Sequence, residues 1–464
     1  MRLSSSPSEG LLDGIFGRGA AAAEVTDVAW LQAMLDVESA LARASARAGL
    51  VPESAADAIA SCCSAQRYDL GELGRAAADS GNPVVPMVAA LTTAVAEEAG
   101  PEAAGHVHRG ATSQDVLDTA TMLMARRAVD PMLTDLAAAA ERCADLAGSH
   151  ATTLMQGRTL LQPALPTTFG LKAAGWLTAI DQSRLQLATV RDQTLAVQLG
   201  GAAGTLASLG PQGPDVLGHL ATALGLSEPD LPWHTDRTRV VRLATALALC
   251  TGVLAKIGRD VTLLCQAEVA EVSEGGHPGR GGSSTMPQKR NPVAAVTLVA
   301  CGQRGPGLLA TVVSAMPQEH ERGAGGWQAE WEPVRDLLRL AGASAAWGRD
   351  LMANLQVDAA RMRANLDGLG GYPLAENVTT ALTATLGRDR AHRLVEGICR
   401  EAVAAGQPLR DALLAAPAVL SALGAAGIDE ALDPVTSVVA VPQLLARALR
   451  AHESVEARLQ GPAR

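Results

Sequence analysis

Aromatic side chains are nearly absent, at 2% of 464 residues. Aromatic-rich strands are therefore scarce, and the 48% apolar share is carried mostly by Ala, Leu and Val. Ala and Leu are strong helix formers, so the composition favours an all-helical protein and excludes global disorder. Lysine is almost missing too: three residues (Lys172, Lys256, Lys289) against 35 arginines. The net charge is −10, which argues against a general nucleic-acid binder. An anionic substrate would need a locally basic pocket against that background. Seven cysteines, an odd number without CxxC spacing, argue against a disulfide framework and against zinc. They read as small buried hydrophobes in a reducing cytoplasm. The opening MRLSSSPSEG lacks the apolar core of a signal peptide, and no uninterrupted apolar run of about 18 residues is present. No membrane span and no metal centre are expected.

At ~150 residues per domain, the length suggests about three domains or one elongated body. Residues 1–20 are polar and read as an irregular arm. A helix is predicted from Asp27, with Trp30, Met34, Val37 and Leu41 at heptad-like spacing and Gly49 closing it. Gly81-Asn82-Pro83 and Gly100-Pro101 punctuate the chain beyond that helix. The middle differs. Gln114–Val129, Phe169–Leu199, Thr238–Glu274, Pro292–Ala315 and Gln328–Leu355 contain few breakers or none, which predicts long helices. A helix over 238–274 would be about 54 Å long. Helices so long and apolar imply a bundle completed by other subunits. From about 356 the segments shorten. The chain reads as an N-terminal helical domain (1–104), a central long-helix bundle (105–355) and a C-terminal helical domain (356–464).

The segment with most chemistry is Gly281-Gly282-Ser283-Ser284-Thr285-Met286-Pro287-Gln288-Lys289-Arg290-Asn291-Pro292, between two predicted long helices. Its glycines allow close backbone approach to a ligand. Asn291-Pro292 reads as N-cap and first residue of the next helix, where anions are favoured. Lys289 and Arg290 add positive charge there. Composition alone favours an ordinary capped linker, but the order of residues is far more specific.

That order resembles the GSSxMPxKxNP signature of the fumarase/aspartase superfamily at every fixed position. The resemblance implies an all-α fold and a homotetramer whose active sites combine loops of three subunits. It implies that Ser283 exchanges the proton next to a substrate carboxylate. Lys289 and Asn291 would then hold that carboxylate as it becomes a dianionic aci-carboxylate, with Ser284 beside them. The physical logic agrees, because a second negative charge needs preorganised donors and a cation, and serine is a poor base unless donors stabilise its alkoxide. His108-Arg109-Gly110-Ala111-Thr112-Ser113-Gln114-Asp115-Val116-Leu117-Asp118-Thr119 resembles the superfamily's HxGxTSxDxxDT region. Thr112, Ser113 and Gln114 would bind substrate carboxylates, and His108 is a candidate acid or carboxylate donor. An ordinary helix cap with a surface His would look the same on spacing alone.

A third segment, Gly157-Arg158-Thr159-Leu160-Leu161-Gln162-Pro163, resembles the GRTHxQ loop and leaves Thr159 and Gln162 as polar contacts. Leu160 stands where fumarases and adenylosuccinate lyases carry His, which counts against both activities. Within the superfamily, WLQAMLDVESALARASARAGL, GNPVVPMV, LGGAAGTLASLG, PWHTDR and QEHERGAGGWQAEW together resemble the bacterial 3-carboxy-cis,cis-muconate cycloisomerases. This implies cofactor-free interconversion of that tricarboxylate with 4-carboxymuconolactone, a step of protocatechuate breakdown. Pro163, where many such enzymes would carry His, departs from that pattern. The alternatives are a fumarate-releasing lyase acting on an adenylosuccinate-like or nitrosuccinate-like dicarboxylate, and a catalytically silent homologue. Arg237 and His234 could line the pocket, Arg237 as a substrate contact, with a structural loop role as open for His234. Arg322 could bind a carboxylate or pair with its acidic neighbours. Trp327 and Trp331 read as core, and Glu268, Glu271 and Glu274 as a solvated helix face.

Overall fold

The computed structural model describes residues 10–276 and 279–460. Its centre is five long helices: Ser113–Ser149, Phe169–Gln193, Thr238–Leu264, Val293–Ser314 and Gly326–Asn354. Each follows a stretch poor in breakers, and the all-helical class expected from composition is the class observed. The helices run alternately up and down. A hairpin joins the first two, with Phe169 N donating to Thr153 O. The far end of the second returns to the start of the first, where Gly200 N and Gly201 N donate to Asp115. At the other end Gly275 N donates to Asn354 O, closing the last helix onto the segment after the third.

Two differences from the sequence reading have physical causes. The helix from Thr238 stops at Leu264, not near Glu274. No Gly or Pro ends it. Instead Ala270 takes a left-handed φ of 50°, and Val272–Glu274 pairs antiparallel with Leu355–Val357. The third motif forms a hairpin, Leu154–Thr159 with Gln162–Thr168, where no strand was expected. Its prolines fit a two-stranded ribbon because every residue there lies on an edge.

Among the described residues the apolar core falls into two clusters. The larger includes Leu35, Met87, Met132, Leu177, Leu247 and Leu338, and so joins the N-terminal helices to the bundle. The smaller gathers Val378, Leu382, Leu409, Leu413, Val419 and Ile428. The last helix, Val441–Gln460, packs back on Phe169–Gln193 through Arg184, which bridges Asp181 and Glu456, while His452 Nδ1 lies 2.9 Å from Asp181. These carboxylates and His452 have the right atoms for a metal, but the Arg184 cation already occupies their midst. All seven cysteines are free thiols.

Two bundle helices depart from the expectation of no membrane-length apolar helix. Thr238–Leu264 and Val293–Ser314 are long and apolar enough to cross a membrane, with mean hydropathy of 1.8 and 1.2 over their most apolar windows. Only half and a third of those windows are buried within the chain. Leu249, Val296 and Val313 stand exposed on them.

Candidate active site

At the start of the Ser113–Ser149 helix, Asp115 organises the second motif. Its buried carboxylate accepts from Thr112 N at 2.9 Å, Gly200 N at 3.0 Å and Gly201 N at 2.9 Å, and faces His234 Nε2 at 2.7 Å. Such a set of donors holds a buried charge without leaving it unpaired. It also ties three loops together and leaves the Thr112 hydroxyl pointing outward, where it accepts from Arg322 at 2.9 Å. Arg322 also donates to the Ala202 carbonyl at 2.9 Å. Thr112, Ser113 and Arg322 are thus half-buried neighbours with donors to offer an anion. Arg322 pairs with none of the acidic residues beside it in sequence.

His108 sits four residues before Thr112 at a left-handed φ of 58°. Its Nδ1 lies 2.6 Å from Oε1 of Glu38, a carboxylate 1% exposed on the Asp27–Arg47 helix. Burial works against the charged ring, but Glu38, helped by Asp115, outweighs it and lifts the His108 pKa above its ordinary value.

Gln114 and Arg237 turn inward instead. Gln114 is fully buried and donates to Asp118 and the His234 carbonyl. Arg237 is 2% exposed, makes a two-pronged contact with Asp118 at 2.8 and 3.0 Å, and pairs with Glu330. Trp327 Nε1 also donates to Asp118, and its ring packs edge-on against Trp331. Arg237, Asp118, Glu330 and the Gln114 amide N–H groups pair with one another inside the chain, while Gln114 Oε1 has no hydrogen-bond partner among the described residues. His234, paired to Asp115, is likewise structural here.

At the opposite end lies the serine loop. Ser283 Oγ accepts from the backbone N–H groups of Thr285 and Met286, at 3.2 and 3.1 Å. Two N–H dipoles aimed at one hydroxyl oxygen favour its negative form. Ser284 and Lys289 are exposed. Asn291 closes the neck of the loop: its backbone N and its side-chain Nδ2 both donate to Gly281 O, at 2.8 and 3.0 Å. Gly281 needs its φ of 69°, and a Cβ there would meet Asn291 O at 2.3 Å.

Asn291 does not cap the next helix. The helix begins at Val293, and Glu274, nineteen residues earlier, accepts from Ala294 N and Ala295 N at 3.1 and 2.8 Å. Burial raises the Glu274 carboxyl pKa, and these donors together with Arg280 offset only part of that rise. The helix N-terminus therefore already holds its anion. Glu274→Ala is expected to cost about 1–2 kcal/mol, the worth of a strong cap. Thermal unfolding would read the loss, and an unchanged midpoint would contradict the capping role. Beneath the loop is a cavity of about 310 Å³ lined by Glu274, Arg280, Arg290, Asn291 and Gln356. A larger one of about 940 Å³, beside Asp13, Arg18, Arg335 and Arg339, holds none of the candidate residues.

The third motif lies at the serine-loop end of the bundle. Arg158 anchors its hairpin through a two-pronged pair with buried Glu271, at 2.9 and 2.7 Å. Glu271 is thus an internal anchor and not part of a solvated face. At the tip Leu160 and Leu161 take φ of 50° and 67° and are 97% and 75% exposed. A two-residue hairpin turn demands that conformation, which glycine and asparagine adopt with least strain. Thr159 and Gln162 flank the tip and are exposed.

One chain therefore brings Thr112, Ser113, Arg322 and His108 together at one end, and Ser283, Ser284, Lys289 and Asn291 at the other. A 27-residue helix separates the ends by about 40 Å. Sequence reasoning missed Glu38 as the His108 partner, Asp115 as the organising carboxylate and Glu330 as a partner of Arg237. Asp115 and Asp118 stand in the motif itself and could have been read from it; Glu38 and Glu330 carry no local signal.

Residues 18–304 match the family described as Lyase, and 371–448 match the adenylosuccinate lyase C-terminus. A 3-carboxy-cis,cis-muconate cycloisomerase of Pseudomonas aeruginosa is 45% identical, with 98% of each chain covered. A nitrosuccinate lyase of Streptomyces davaonensis is also 45% identical, with 96% of each covered. The crystal structure of the 3-carboxy-cis,cis-muconate lactonizing enzyme from Pseudomonas putida superposes with a TM-score of 0.89 at 44% identity, covering 96% of this chain and 99% of that one. With the serine-loop signature intact and relatives matched end to end, the chain belongs to the fumarase/aspartase superfamily of lyases, alongside the 3-carboxy-cis,cis-muconate cycloisomerases.

Proposed function

We propose that the protein interconverts 3-carboxy-cis,cis-muconate and 4-carboxymuconolactone. One substrate carboxylate adds across the conjugated double bond, and the electron pair moves onto a second carboxylate as a dianionic aci-carboxylate. Lys289 and Asn291 stabilise that charge, and Ser283 delivers a proton to the adjacent carbon. In reverse, the Ser283 alkoxide removes that proton and the ring C–O bond breaks, so a lyase scaffold performs an isomerisation. The observation that carries this reading is the pair of N–H bonds on Ser283 Oγ, which gives an otherwise poor base a stabilised anion. Thr112, Ser113, Arg322 and His108 hold the remaining carboxylates, with Thr159 and Gln162 as further polar contacts.

The separation of the two residue groups within one chain supports a site shared between subunits. The exposed apolar faces of Thr238–Leu264 and Val293–Ser314 suit the core of a homotetramer better than a bilayer, because each helix already belongs to the soluble bundle on its other side. Seven free thiols fit a cytoplasmic location.

A second reading has one observation in its favour, the equal identity to the nitrosuccinate lyase. The same base and carboxylate clamp would then expel nitrite and leave fumarate. Ultraviolet loss of the conjugated diene from 3-carboxy-cis,cis-muconate tests the first reading. Fumarate and nitrite from nitrosuccinate, with no diene loss, would replace it by the second.

A further inference from the structure

The pairing of Glu38 with His108 joins residues 70 apart in sequence and on separate elements. Glu38 comes from the middle of the Asp27–Arg47 helix and is sealed in the interior; its Oε2 has no hydrogen-bond partner. A buried carboxylate with one oxygen unsatisfied is an expensive way to fasten a loop. The loop is in any case fixed by other means. Asp115 holds it from the following helix, and Gly110, at φ 79°, packs so tightly on Leu209 that a Cβ would meet that side chain at 2.4 Å. What Glu38 adds is control of the His108 ring.

A carboxylate at Nδ1 can only accept, so Nδ1 must carry a proton. The other ring nitrogen, Nε2, has no hydrogen-bond partner among the described residues, and the side chain keeps 20% exposure. His108 lies on the segment that leads directly to Thr112, whose hydroxyl meets Arg322. We propose that Glu38 is a positioning residue for His108, fixing its tautomer and charge so that Nε2–H is presented as a cationic donor to a substrate carboxylate. This rests on the reading of His108 as a substrate contact in the proposed reaction.

The charged groups around the ring point the same way. Glu38 faces it from the Asp27–Arg47 helix and Asp115 from the Ser113–Ser149 helix. Asp36, on the same helix as Glu38, is turned to Arg127 and Gln32. Arg109, next in the chain, is directed to His106. His108 therefore stays cationic to higher pH than a free histidine, and it becomes neutral as pH rises through that raised value. Productive binding of an anionic substrate is lost on that basic limb.

The test combines pH profiles of kcat/KM with direct NMR titration of the labelled histidine rings, the His108 signal being identified by its loss in His108→Gln. In Glu38→Gln the amide keeps the shape but removes the charge. The His108 titration and the basic limb should both move down by about one pH unit, a roughly tenfold fall in kcat/KM above both values and little change below them. The loss should appear mainly in KM. Glu38→Asp, which restores the charge, should recover much of the limb, and Glu38→Ala carries the test if the glutamine variant does not assemble. An unmoved His108 titration in a correctly assembled charge-removing variant, Glu38→Gln or Glu38→Ala, overturns the role of Glu38. A His108→Gln enzyme with the parental profile overturns the reading of His108 itself, a distinct result because the NMR titration would still respond to Glu38.

Discussion

Ser283→Ala is expected to reduce turnover on the order of 10³-fold while leaving helix content and assembly unchanged. The magnitude is that of losing the group that moves the proton. The structural cost should be small. Ser283 lies on a loop with exposed neighbours, and its hydroxyl only accepts two N–H groups that water can serve instead. Ser284 cannot substitute, because the N–H pair of Thr285 and Met286 converges on the Ser283 oxygen. Substrate binding should be largely retained, since in the proposed mechanism the carboxylate contacts would come from Lys289, Asn291 and the groups at the far end of a second subunit. The expected pattern is therefore a collapse in kcat with a modest change in KM. Activity above a tenth of the parental value, in a variant with normal circular dichroism and assembly size, would remove Ser283 from the mechanism.

How much of this was legible in the sequence depends on the range of the interaction. The bundle was readable because Ala- and Leu-rich stretches without breakers have few alternatives to a helix. Each of the five long helices starts within two residues of its predicted stretch, and those from Phe169 and Thr238 start on it. The end of the Thr238 helix was not readable. Residues 265–271 contain no breaker, and the chain turns there because Glu271 is drawn to Arg158 and Val272 to Val357. Both partners lie far off in sequence, beyond any local pattern. The serine loop was legible through its residue order, yet the cap of the next helix was misassigned for the same reason: Glu274 reaches it from across the loop. The motif residues of the second segment were legible as a group, but which of them face outward was not. Thr112 and Gln114 are two positions apart, and one meets Arg322 while the other is buried against Asp118. Only the packed structure separates them.

Arg237 makes the same point and yields the second large expected effect. The sequence reading placed it among the substrate contacts; in the folded chain it is buried against Asp118 and Glu330. Arg237→Met should destabilise the protein by about 3–5 kcal/mol, because it leaves Asp118 and Glu330 buried without their cation. The effect should depend on pH with a definite sign. Burial raises the Glu330 carboxyl to about 7, against the pull of Arg237. A raised folded-state value means that the folded protein binds the extra proton, so this group favours folding below the ordinary carboxylate range and ceases to do so as pH rises through about 7. Removing Arg237 removes the pull and moves the folded-state value higher still. The deficit of the variant relative to the parent should thus be largest at pH 8 and smaller near pH 5, where Glu330 is protonated. Denaturant unfolding at the two pH values, at one protein concentration so that any self-association contributes equally, would measure it. The residual activity of the folded fraction should keep its KM. A raised KM with unchanged stability would instead return Arg237 to the substrate, and would require the Asp118–Arg237–Glu330 cluster to open when the site is occupied.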